Sequence, residues 1–91
     1  MSPAQRLRRA EATYNEFVTG LIEPAYHCEI GFDERKKEMN TCHVSRADMD
    51  AAFKSRYPDE AALAELISPH CEYKGIFIVV QRRWDELKES A

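Results

Sequence analysis

The segment Glu72-Tyr73-Lys74-Gly75-Ile76-Phe77-Ile78-Val79-Val80-Gln81-Arg82-Arg83-Trp84-Asp85-Glu86-Leu87-Lys88-Glu89 decides the fold, because it reads in two ways. Ile76 to Val80 is a β-branched run that follows a glycine, the composition of a fully buried strand. Yet Tyr73, Phe77, Val80, Trp84 and Leu87 recur at steps of four, three, four and three, which is a helical period. The β-branched run favours a strand over 72–81 followed by a short helix over 82–89. The alternative is one long C-terminal helix, started by Ser68-Pro69, in an all-α domain.

Outward from that segment the punctuation is clearer. Ser2, Pro3 and Gln5 form a helix start: Ser2 as cap, Pro3 at the first helical position, and Gln5 closing a capping box. Leu7, Ala10, Tyr14, Phe17, Val18 and Leu21 then fall on one face of an N-terminal helix, which Gly20 weakens and Pro24 stops. Residues 25–32 read as a short strand and 41–44 as a return strand, with a polar turn between them; a β-hairpin is the simplest account. Ser45 with Asp48 starts a second helix whose apolar side is Met49, Ala52, Phe53 and Tyr57. Pro58 opens a third helical stretch, with Asp59 and Glu60 near its positive end and Leu63, Leu66 and Ile67 on its buried side. The expected architecture is α+β: an N-terminal helix, a short antiparallel sheet of about 25–32, 41–44 and 72–81, and two middle helices.

Ninety-one residues form one small domain, 1–91, whose core is thin for its surface. Apolar residues make up 44% and charged residues 32%, a globular composition. The longest apolar run, Ile76 to Val80, is far short of the roughly 18 residues that span a membrane. Arg6, Arg8 and Arg9 precede no apolar stretch of the kind a secretory signal needs, so cytosol is the expected compartment.

The net charge is −3, and no segment gathers a basic stripe able to displace counterions from a phosphate backbone. Asp59, Glu60 and Glu65, with no Lys or Arg among 58–67, also argue against a DNA-reading helix. No nucleic-acid partner and no membrane is therefore expected. The three glycines are isolated, so there is no phosphate loop. The carboxylates Asp48/Asp50 and Glu29/Asp33/Glu34 match no calcium-loop spacing.

Each cysteine sits beside a histidine: His27-Cys28, Cys42-His43 and His70-Cys71. Thiolate and imidazole are the ligands zinc prefers, and four of these six would complete a site. Against that reading, no Cys-x-x-Cys or His-x₃₋₅-His spacing is present, and neighbours along a strand point to opposite faces. The plainer account is three reduced cysteines acting as small buried hydrophobes beside outward-facing histidines. A cysteine–histidine nucleophile would need a meeting in space that adjacency in sequence does not supply.

What remains is surface for other proteins. Arg82, Arg83 and Trp84 combine residue types enriched in binding hot spots, although the only tryptophan is better spent on a thin core. The Leu7/Tyr14/Phe17 edge of the first helix suits an internal core or a homodimer interface equally. The expected function is non-enzymatic: a small acidic cytosolic protein that binds another protein as inhibitor, regulator or accessory subunit, with no catalytic residues and no cofactor. A zinc-stabilised module is the alternative, and an enzyme subunit the third.

Overall fold

The computed structural model describes residues 2–22 and 40–90. Helix α1 spans Pro3–Thr19 and begins with the expected capping box. The Gln5 amide donates to Ser2 Oγ at 3.2 Å, and the Ser2 amide donates to Gln5 Oε1 at 2.9 Å. Ala10, Tyr14 and Val18, four residues apart, are the buried stripe, with Leu7 and Phe17 partly buried at its margins. The helix ends at Gly20, and Leu21 and Ile22 continue into the core.

Strand β1 (Thr41–Ser45) pairs antiparallel with β2 (Ile76–Val80), in the register Cys42↔Val79, His43↔Ile78 and Val44↔Phe77. Residues directly opposite each other share a face of the sheet. Val44, Phe77 and Val79 therefore line one side, all buried, with Cys42 partly buried beside them. His43 lies on the other side and is exposed. The fold is α+β, and the all-α alternative is set aside by this pairing. The expected strand over 72–81 is shorter than its sequence limits, because a tight turn at Lys74-Gly75 occupies its first residues. The expected strand over 25–32, and with it the hairpin to 41–44, lies outside the described residues.

Ser45 ends β1 and caps α2 (Arg46–Arg56), accepting a hydrogen bond from the Asp48 amide at 3.1 Å. Met49 and Phe53 are its buried residues. Tyr57 and Pro58 then break the helix. The third helical stretch is only α3 (Pro58–Ala61), followed by a 3₁₀ turn over Ala64–Leu66. This overturns one expected burial. In a continuous α-helix Leu63, Leu66 and Ile67 would share a face, but the tighter turn rotates each residue further about the axis. Ala64 and Ile67 are buried, Leu63 half-buried, and Leu66 remains 65% exposed.

The chain closes with α4 (Gln81–Glu89), which starts directly from β2. Backbone bonds from Val80 to the Leu21 carbonyl (2.7 Å) and from Gln81 to the Asn40 carbonyl (3.0 Å) tie this junction to the rest. Trp84 packs into the core at 9% exposure. Phe77, Val80 and Trp84 are thus all buried, two by a strand and one by a helix, which is why their helical spacing misleads. At the centre Phe53 meets Tyr14 edge-on at 4.7 Å between ring centroids, with Phe17 at 5.7 Å and Tyr57 at 5.3 Å. No helix among the described residues is long and apolar enough to cross a membrane.

Candidate functional site

Arg46 is the first residue of α2, where a helix has amide groups without an internal acceptor. Its amide donates to the Gly75 carbonyl at 2.8 Å, joining α2 to the turn before β2. Its guanidinium reaches the other way and uses the whole fork. Nε donates to Asp50 Oδ1 at 2.9 Å, Nη1 to Glu72 Oε2 at 3.2 Å, and Nη2 to the Ala64 and Ile67 carbonyls at 2.7 and 3.1 Å. Those two carbonyls lie at the start and just past the end of the 3₁₀ turn; the Ala64 carbonyl also accepts the Ile67 amide at 3.1 Å. The guanidinium carbon also sits 5.3 Å from the centroid of the Tyr14 ring.

Tyr14 completes the cluster. Its hydroxyl donates to Asp50 Oδ1 at 2.6 Å, short because the acceptor is charged. Burial raises the phenol pKa well above its ordinary value, and the bond to Asp50 and the Asp50 charge push the same way. Burial alone would lower Arg46, but Asp50, Tyr14 and Glu72 outweigh it and hold the guanidinium above its ordinary value. The Tyr14 ring is fully buried and its proton is committed to Asp50. The cluster clamps residues 64–75 against α1 and α2. The His70 amide adds a further tie, donating to Asn15 Oδ1 of α1 at 2.8 Å.

That clamp carries an aromatic tip. Tyr73 and Ile76 exchange two backbone hydrogen bonds, 2.9 and 3.1 Å, across the two-residue loop Lys74-Gly75. Lys74 has φ +52° and Gly75 φ +78°, the positive values that a type I′ hairpin turn requires at both central positions. Cys71, two residues before Tyr73, also has a positive φ of 64°. Tyr73 is 71% exposed and Ile76 42% exposed, and Lys74 Nζ lies 5.3 Å from the Tyr73 ring centroid. The tip thus holds an apolar pair in water beside two anchors, the Gly75 carbonyl accepting from the Arg46 amide and the Glu72 carboxylate accepting from the guanidinium.

The residues singled out from the sequence are scattered. Cys42 is half-buried on β1 while its neighbour His43 faces away; Cys71 is half-buried in a turn and His70 is exposed. His27 and Cys28 lie outside the described residues. Among the described residues no three His, Cys, Asp or Glu side chains come together as a metal-holding group. Burial raises the Cys42 thiol pKa, with Asp85 adding to the effect and Lys88 opposing it. Arg83 donates to the Gly20 and Ile22 carbonyls at 3.4 and 3.3 Å, fastening α4 to the end of α1, and Arg82 is exposed. Trp84 and Tyr14 are in the core, while Leu7 and Phe17 border it. Sequence reasoning missed the Tyr73–Ile76 tip. Its signal is the Lys74-Gly75 pair, flanked by an aromatic and a β-branched residue.

Among the described residues, fold and site together give an α+β arrangement with a two-stranded antiparallel sheet and an exposed aromatic hairpin tip. No protein-family model, no curated protein and no solved structure matches the chain.

Proposed function

We propose that this chain acts without catalysis, binding another cytosolic protein through the Tyr73–Ile76 tip as an inhibitor, regulator or accessory subunit. The observation that carries this reading is a tyrosine 71% exposed on a two-residue turn whose backbone is already fixed. Tyrosine is among the side chains most enriched in binding hot spots. Covering roughly 150 Å² of its ring removes on the order of 4 kcal/mol of unfavourable hydration, before the costs of association. A preformed turn lowers those costs, since no loop has to be ordered on contact.

The test is a paired capture experiment on the full chain. Wild-type protein and the Tyr73→Ala variant are used as baits in the same native lysate, and bound proteins are compared by mass spectrometry. The proposal expects a partner kept by wild type and lost by the variant, whose fold should be unchanged because Tyr73 is 71% exposed and lies outside the core cluster. A chain that retains no partner but turns over a substrate would sink it.

A further inference from the structure

A different face of the molecule has the features of a contact between two copies of the chain. Between the first turns of α1 and the 3₁₀ turn runs a mainly apolar groove of about 270 Å³, lined by Pro3, Ala4, Arg6, Leu7, Leu63 and Leu66. Leu66 stands at its edge, 65% exposed. The adjoining cleft, about 340 Å³, has Arg6 and Arg9 on its α1 side and Asp59 and Glu60 on its α3 side. The α1 side is positive twice over, because the first turn of that helix holds no acidic residue to offset the dipole at its start.

An apolar groove that runs on into a cleft with one positive and one negative wall is self-complementary. A two-fold axis along the groove carries the Arg6/Arg9 wall of one copy onto the Asp59/Glu60 wall of the next, twice, and sets each Leu66 against the Pro3/Ala4/Leu7 wall of the other copy. This is the isologous arrangement, in which one patch meets itself and the assembly closes at two. A single-sign patch would repel its own copy and suit a foreign partner instead. The surface suffices: a stable interface takes about 800 Å² per partner, roughly one-eighth of the 6390 Å² this chain exposes. We infer that the chain forms a two-fold homodimer through this groove, with each Leu66 covered by the α1 side of the other copy and the arginine and carboxylate walls pairing between copies.

The dimer contact is independent of the Tyr73 tip, and the test needs no knowledge of that partner. Sedimentation velocity on the full chain, from micromolar to submillimolar concentration at low salt, should show a monomer–dimer equilibrium. Leu66→Glu should weaken it by more than about tenfold. Arg6→Glu/Arg9→Glu and Asp59→Lys/Glu60→Lys should each sediment as monomers, because each leaves one sign on both walls. An equimolar mixture of those two variants should form a heterodimer, and a chain carrying all four changes should regain self-association. All of these positions are exposed or half-exposed, and Trp84 fluorescence reports that each variant is folded. A wild-type chain that stays monomeric over the whole range overturns the inference. So does a dimer indifferent to Leu66→Glu, or a mixture no heavier than its components.

Discussion

Replacing Arg46 by alanine removes four side-chain hydrogen bonds at once, two to carboxylates and two to main-chain carbonyls. A hydrogen bond with a charged partner contributes about 1.5–3 kcal/mol net, but the members of one network do not add. Water also reaches this one: the Arg46 and Glu72 side chains are each 25% exposed and Asp50 is 30% exposed. A loss of about 3 kcal/mol is the expected outcome, near the lower end for breaking one side of a sheltered ion pair. For a domain of this size that lowers Tm by roughly 12–24 °C. Urea unfolding followed by the fluorescence of the buried Trp84 measures the change. Arg46→Lys keeps the charge but not the planar fork, so it should recover less than half of the loss. A loss for Arg46→Ala below about 1 kcal/mol, the range of an ordinary surface ion pair, would refute the reasoning. Residues 64–75 would then be held by something other than this clamp.

Three further outcomes follow from the same geometry. The folded protein holds the Tyr14 proton more tightly than the unfolded chain does, so below about pH 10 the hydroxyl contributes in full, and above it the unfolded state alone releases its proton. Stability should therefore fall with rising pH there, by up to about 1.4 kcal/mol per pH unit from this group, and Tyr14→Phe should remove that part of the slope; equal slopes in both proteins contradict the assignment. Burial and Asp85 raise the Cys42 thiol pKa, so in a Cys71→Ser, Cys28→Ser background iodoacetamide should alkylate it more slowly than free cysteine at neutral pH, with Asp85→Asn speeding the reaction. Faster alkylation would instead mark an activated nucleophile. At the tip, a Cβ on Gly75 meets no atom within 4 Å, so Gly75→Ala should cost only the strain of its left-handed backbone, about 1 kcal/mol, whereas Lys74→Asn should stabilise by about 0.5 kcal/mol. Chemical denaturation reads both, and a stabilising Gly75→Ala would contradict the turn geometry.

Local chemistry wrote much of the fold into the sequence. Ser2 and Gln5 cap α1 as their spacing requires, Ser45 caps α2 by accepting from the Asp48 amide, and the run Ile76 to Val80, rich in β-branched residues, outweighs the helical period that overlies it. The site was legible only in part, because its parts are far apart in the chain. Arg46 meets groups 18, 21 and 26 residues away, and no periodicity records such a partner. Helical spacing puts Leu66 on the buried side, but the segment winds as a 3₁₀ turn and leaves it exposed. Spacing alone puts Tyr73 on a strand or helix face, but the positive φ values of Lys74 and Gly75 turn the chain immediately after it and leave the ring in water. The Cys–His neighbours attract attention as pairs, yet along β1 the alternation of side chains parts Cys42 from His43.

Contact through the tip is tested most directly by a photo-crosslinking amino acid at position 73, compared with the same group at the exposed Lys54. After irradiation in native lysate, the account predicts a discrete adduct formed from position 73 and not from position 54. Excess unlabelled wild-type chain should suppress it, and excess Tyr73→Ala chain should not. Adducts of equal yield from both positions, or equal suppression by both competitors, would contradict it.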